Sequence, residues 1–148
     1  MKRIIIGITG ATGTIYGWRL MELLRSEGQT EIHLVMSPSA KLTLKMEHDV
    51  ELERISSLAH EVHAPGNIGA AISSGSFFSE GMIIAPCSIK TMSNIAMGNT
   101  GDLITRAADV ILKERRKLVV ALRETPLHAG HLESMSKLAN LGAVIFPP

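Results

Sequence analysis

A doubly wound α/β fold, one parallel sheet between two helical layers, is what this sequence predicts, Rossmann-like or flavodoxin-like in its winding. Three observations carry that expectation. Short β-branched runs alternate with amphipathic stretches along the chain. The runs are apolar at consecutive positions, as in strands buried on both faces. Glycine or serine stands where several of the runs give way to helices. Right-handed crossovers are the default for such βαβ alternation, which limits the topology to an open parallel sheet.

Taken in order, Ile4–Ile8 is the first buried strand. A change of period follows from Ile15, where Tyr16, Leu20, Leu23 and Leu24 fall at i, i+4, i+7 and i+8 and predict an amphipathic helix that closes near Gly28. Glu31–Met36 returns to strand character, and Ser37-Pro38 opens a second helix over Ser39–Met46. Between Glu47 and Ser76 glycine, proline and histidine break any period, and only a short helix over Glu51–Ser57 is expected. Gly81–Pro86 is a third buried strand. Ser88 sits as an N-cap ahead of Ile89, Met92, Ile95 and Ala96. Leu103–Leu112 reads as helix, Lys117–Leu122 as strand, His131–Asn140 as helix with Gly142 as its stop, and Ala143–Phe146 as a last strand.

Composition narrows the function. The 148 residues are 45% hydrophobic and 20% charged, enough for one domain spanning residues 1–148. At this size roughly 70% of the unfolded chain's surface is buried, so no disulfide or structural metal is needed. The single Cys87 cannot form an internal bridge. Fifteen Lys and Arg against fourteen Asp and Glu leave a net charge of +1, which argues against a nucleic-acid partner. The longest apolar runs, such as Met82–Pro86, fall far short of the roughly 20 residues that span a bilayer, so no membrane partner is expected. The basic N-terminus meets a glycine turn rather than a signal-type ending, and the expected location is the reduced cytoplasm.

Open parallel sheets bind ligands beyond the carboxyl ends of their strands, and four such junctions stand out. Gly7–Thr14 places glycine at every third position. Its amides can approach a phosphate at a helix end, with the hydroxyls of Thr9, Thr12 and Thr14 donating. The spacing is neither G-x-G-x-x-G nor a Walker loop, and a tight βα turn is the plain alternative to a nucleotide or flavin site. Ser37 taken singly is a helix cap. Pro86–Thr91 sets two hydroxyls and Lys90 at a helix N-terminus, an anion or flavin-edge site or an ordinary cap. Arg123 and Glu124 leave the strand Lys117–Leu122 together. They suit a phosphate clamp beside a proton-moving carboxylate, or a surface ion pair.

Other features read more plainly. Asp102–Arg106 and Asp109–Lys113 have the i, i+4 spacing of stabilising helix pairs. Cys87 reads as packing. The histidine pairs His60/His63 and His128/His131 have i, i+3 spacing but lie beside glycine and proline, and no metal is expected.

Together these pieces resemble a family. GITGATGTIYG at Gly7–Gly17, LVMS at Leu34–Ser37, SSGS at Ser73–Ser76, APCSIKT at Ala85–Thr91, LITRAADVILKERRKLV at Leu103–Val119, RETPLH at Arg123–His128 and LANLGAVIFPP at Leu138–Pro148 resemble the UbiX/Pad flavin prenyltransferases. The resemblance implies FMN as cofactor, with flavin sites assembled between subunits of a homo-oligomer, commonly a dodecamer. By position, Gly10, Ala11, Thr12, Ser37, Ser88, Ile89, Lys90, Thr91 and Arg123 match the family's flavin contacts. Ser74, Arg106, Lys113 and Arg123 match positions that hold the phosphate of dimethylallyl phosphate. Lys113 and Glu124 are the expected catalytic residues, Glu124 matching the acid credited with proton transfer, and Glu47 resembles a second acid near the site. The implied reaction moves a dimethylallyl group to flavin N5, followed by ring closure at C6, for use by a UbiD-type decarboxylase. Alternatives are FMN-dependent decarboxylation of an aromatic acid, or a non-catalytic flavin-binding subunit of a decarboxylase complex. The family continues beyond Pro147-Pro148 into a segment with a tyrosine and an arginine that complete the phosphate site, a segment expected to be absent here.

Overall fold

The computed structural model describes residues 1–148. Its sheet contains β1 (Lys2–Ile8), β2 (Thr30–Met36), β3 (Glu61–His63), β4 (Gly81–Cys87), β5 (Lys117–Leu122) and β6 (Val144–Ile145) in the order β3-β2-β1-β4-β5-β6. Every neighbouring pair is parallel. This is the Rossmann order. With the three-residue edge strand β3 set aside, the other five follow the flavodoxin order, so both expected windings are present in one sheet.

Consecutive apolar residues are what such a sheet requires. Along β1, Ile5 packs into one layer and Ile6 and Ile8 into the other, all buried, because successive side chains leave opposite faces. The first layer sets α1 (Thr14–Glu27), α2 (Pro38–Glu47) and α3 (Leu52–Ser56) against Ile6, Ile8, Ile32, Leu34 and Met36. The second sets α4 (Ile89–Met97), α5 (Leu103–Lys113) and α6 (Ala129–Asn140) against Ile5, Val35, Met82, Ile84, Leu118 and Val120.

The inward face of α1 differs from the expected stripe. Thr14, Gly17, Trp18 and Met21 are buried, whereas Tyr16 and Leu23 are exposed and Leu20 and Leu24 half-buried. Gly17 is the reason. A Cβ there would collide with the carbonyl oxygen of Ala85 and with Ile8, so the bare Gly17 side of the helix lies against the sheet. Positions 14, 18 and 21 follow it at helical spacing.

Two other expectations need correction. The Glu47–Ser76 stretch contains the strand β3 and a 3₁₀ turn at Ala71–Ser73 besides the short helix. In α5 the expected i, i+4 ion pairs do not form. Asp102 is the N-cap, accepting from Thr105 N–H at 2.8 Å, and this commitment turns its carboxylate away from Arg106. Arg106 instead faces Asp109 at 3.6 Å, and Lys113 pairs with Glu114 at 2.8 Å.

Candidate active site

The chain reverses its winding between β1 and β4, and ligands of open α/β sheets sit at that switch point. Thr9, the residue after β1, stitches the two strand ends together. Its N–H and hydroxyl both donate to the Pro86 carbonyl, at 3.2 and 2.8 Å, and its hydroxyl oxygen accepts from Ser88 N–H at 2.9 Å. Ser37 N–H donates to Ile8 O at 3.0 Å and Arg123 N–H to Cys87 O at 3.2 Å, extending the rim to either side. The Ala85–Pro86 and Thr125–Pro126 peptides on this rim are cis.

Beyond the rim lies a set of backbone donors. The N–H groups of Gly10, Ala11 and Thr12 have no protein acceptor, nor do those of Ile89 and Lys90 in the first turn of α4. Ser37 caps α2 through Ala40 N–H at 3.1 Å, and Ser88 caps α4 through Thr91 N–H at 3.2 Å. A Cβ on Gly10 would lie 2.5 Å from the Ser39 Cβ, so the loop rests directly on the first turn of α2. A phosphate and the acceptor-rich edge of a flavin ring both need N–H donors at helix ends, and this donor set fits FMN.

The first turn of α1 is a different matter. The sequence allowed a phosphate there, yet the carboxylate of Glu47 fills the position. It accepts from Gly13 N–H at 2.9 Å, Thr14 N–H at 3.2 Å and the Thr14 hydroxyl at 2.8 Å. Desolvation opposes its charge, but the three donors outweigh that and hold its pKa below the ordinary carboxylate value. Thr9 and Thr14 therefore spend their hydroxyls on the protein itself, and only Thr12 of the three loop threonines faces the cleft.

A cleft of about 420 Å³ opens here, lined by Thr12, Leu122, Arg123, Glu124, Thr125 and the chain's terminal prolines. Arg123 and Glu124 do not pair with each other. Arg123 instead lies over the Tyr16 ring, 5.4 Å from its centroid, with the Tyr16 hydroxyl at 3.5 Å. Arg123 also donates to the Pro148 carbonyl at 3.5 Å, and neither Arg123 nor Glu124 has an ion-pair partner. The Tyr16 contact was invisible in the sequence, since 107 residues separate the partners.

The other three residues expected at the phosphate, Ser74, Arg106 and Lys113, lie outside this cleft. Ser74 hydrogen-bonds Ser76 at 2.8 Å in the loop beneath the end of α5, and Lys113 stands beside it at the Gly75 backbone. Arg106 is held by Asp109 on α5. Lys113 lies near the start of β5 and Arg123 follows its end, and six strand residues amount to about 20 Å. Cys87 is fully buried, and burial pushes its thiol far above the usual range, so it packs rather than reacts. His60 caps a backbone N–H of Ile32 at 2.9 Å and does not meet His63. His128 and His131 stack with ring centroids 3.5 Å apart at the exposed start of α6, each ring accepting the other's N–H. A second cleft, of about 260 Å³ and mostly apolar, lies at the opposite edge of the sheet between α1 and the starts of β4 and β5.

Fold, free amides and the Arg123–Glu124 cleft define a flavin-binding Rossmann-like protein, and residues 1–148 match the Flavoprotein family model. The chain is 55% identical to the flavin prenyltransferase UbiX of Escherichia coli K12 over 148 residues, covering all of this chain and 78% of that protein. The crystal structure of AnUbiX in complex with FMN and dimethylallyl pyrophosphate superposes with a TM-score of 0.97 at 48% identity, covering 99% of this chain and 78% of that one. A dodecameric FMN-dependent UbiX-like decarboxylase from Escherichia coli O157:H7 gives a TM-score of 0.97 at 46% identity, covering 99% and 80%. This chain belongs to the UbiX flavin prenyltransferases, a branch of the flavoprotein family.

Proposed function

We propose that this chain is a flavin prenyltransferase that binds FMN and transfers a dimethylallyl group from dimethylallyl phosphate to the reduced cofactor. The observation that carries the reading is the pair of unpaired charges, Arg123 and Glu124, facing one cleft beside the free amides of the flavin loop. Reduced FMN, when bound, supplies the nucleophile. Gly10, Ala11, Thr12, Ile89 and Lys90 hold it through backbone N–H groups, while Ser37, Ser88 and Thr91 order the helix ends beside it.

The chain's own chemistry concerns the leaving group. Breaking the allylic C–O bond builds negative charge on phosphate, and a fixed guanidinium acts where that charge develops. Arg123, steadied by Tyr16, occupies that position, and the Glu124 carboxylate exchanges a proton with the phosphate oxygen. Ser74, Arg106 and Lys113 belong to the same phosphate site by family position. Since one chain holds Lys113 about a strand length from Arg123, a second copy supplies it, and the working unit is a homo-oligomer of dodecamer type. A UbiD-type decarboxylase as recipient and a cytoplasmic location complete the proposal. The chain has no helix long and apolar enough to cross a membrane.

Mass analysis of the flavin tests the function. Anaerobic incubation with reduced FMN and dimethylallyl phosphate should yield flavin heavier by one dimethylallyl unit. Unmodified flavin would overturn the proposal, and carbon dioxide released from a cinnamic or hydroxybenzoic acid by this protein alone would favour a decarboxylase.

A further inference from the structure

Away from the flavin cleft, on the other side of the sheet's switch point, the parallel register of β2 with β3 sets His33 beside Glu61 and Val35 beside His63. Alternate strand residues share a face, so His33, Glu61 and His63 emerge together. Their ligand atoms all lie within 4.8 Å of one another. His33 Nδ1 is 3.0 Å from His63 Nε2 and 3.7 Å from Glu61 Oε2. Ligand atoms of a tetrahedral zinc with bonds of about 2.0–2.1 Å stand about 3.3 Å apart, between those two separations.

The surroundings are those of a metal-bound imidazole. His33 Nε2 donates to Glu31 Oε1 at 2.8 Å, the outer-shell carboxylate that fixes tautomer and ring angle and leaves Nδ1 with a lone pair. Arg3 Nε holds the same Glu31 oxygen at 3.4 Å, and the Phe77 ring stands edge-on to His33 at 4.9 Å. Both imidazoles are buried, while Glu61 is exposed and leaves an open approach and room for a fourth, water ligand. A hydrogen bond between the rings needs one proton, on His63 Nε2. Shifting it to His63 Nδ1, whose neighbour is Glu61 Oε1 at 3.8 Å, turns both facing nitrogens into ligands without changing the net charge.

We propose that the β2–β3 edge is a divalent transition-metal site, with His33 Nδ1, His63 Nε2 and a Glu61 oxygen as ligands and zinc as the ion that suits two imidazoles and one carboxylate. It is independent of the flavin chemistry, since Arg123 and Glu124 lie beyond β1 and β4.

Untagged, chelator-treated full-length protein tests it by competition titration of Zn²⁺ against a chromogenic chelator, with Co²⁺ as spectroscopic probe. One ion per chain should bind, and Co²⁺ should show the intense visible bands of a tetrahedral site. Glu61→Gln, an exposed position that leaves the fold intact, and His63→Gln should weaken binding at least about 10²-fold, and Glu31→Gln about 10-fold. His131→Gln should change nothing. Absence of saturable binding, wild-type affinity in Glu61→Gln, or loss of the ion in His131→Gln would overturn the site and leave His33–His63 as a hydrogen-bonded pair only.

Discussion

Glu47 separates a structural carboxylate from a chemical one. Its side chain takes up the N–H groups of the N-cap Gly13 and of Thr14, the first residue of α1, and the Thr14 hydroxyl, at 2.9, 3.2 and 2.8 Å. Replacing it by alanine strips the helix start of both acceptor oxygens and all three hydrogen bonds. Hydrogen bonds to a charged group contribute about 1.5–3 kcal/mol each when buried, and a lost cap costs about 0.5–2 kcal/mol. Glu47 is exposed, water replaces part of what is lost, and the expected cost is about 2 kcal/mol. At about 2–4 °C per kcal/mol for a chain of this length, Tm should fall by about 4–8 °C. Glu47→Gln keeps one acceptor oxygen and should lose about half as much. The dependence on pH follows from the lowered pKa. A carboxylate depressed on folding contributes its stability above the ordinary value of 4.5 and loses it as pH drops through the folded value. The gap between wild type and Glu47→Gln, measured by thermal unfolding, should therefore be full at neutral pH and close on acidification below 4.5. Equal Tm values for wild type and Glu47→Ala at pH 7, with prenyl transfer lost, would refute the capping role and make Glu47 a reacting acid.

Glu124→Gln should bind FMN normally yet lose about 10²–10⁴ in transfer rate, measured as prenylated flavin formed per subunit. Arg123→Ala should instead weaken the allyl phosphate as well as turnover; equal flavin loss in both variants would contradict these roles. Mixed oligomers of Arg123→Ala and Lys113→Ala subunits should regain part of the activity that each lacks alone, and no regain would confine the site to one chain. Gly10→Val should lose yellow colour, with FMN absorbance and Tm falling together, because the new side chain meets Ser39 as well as the flavin loop. Cys87 should resist thiol reagents in the native protein and label only as fast as the chain unfolds, since burial keeps its thiolate scarce.

What could be read from the sequence is what depends on local pattern. Lys117–Leu122 is apolar at every position after Lys117 and is a strand over those same residues, and Ser88 and Ser37 cap the helices they precede. β3 was hidden because three residues, two of them charged or titratable, carry no periodicity, and its strand character comes from pairing with β2. The inward face of α1 is not legible as a stripe, because Gly17 adds nothing to a hydrophobic pattern although its bareness sets the helix against β4. Spacing along the chain pairs His60 with His63 and His128 with His131, whereas the sheet pairs His33 with His63 across 30 residues. The loop amides of the flavin site were legible as glycine spacing. Glu47, 34 positions from Gly13, was legible only through resemblance.

Thr9 has a consequence for the energetics of recognition. Three hydrogen bonds from one residue bind the ends of two neighbouring strands where a doubly wound sheet would otherwise part. The gap between the flavin loop and α4 is then set when the chain folds, and a ligand entering it has little main chain left to immobilise. The ordering entropy is already spent, so association should not wait on loop closure. In hydrogen exchange the Thr9 and Ser88 amides should be among the slow ones with or without ligand, whereas the free amides of Gly10–Thr12 should slow only once the crevice is filled.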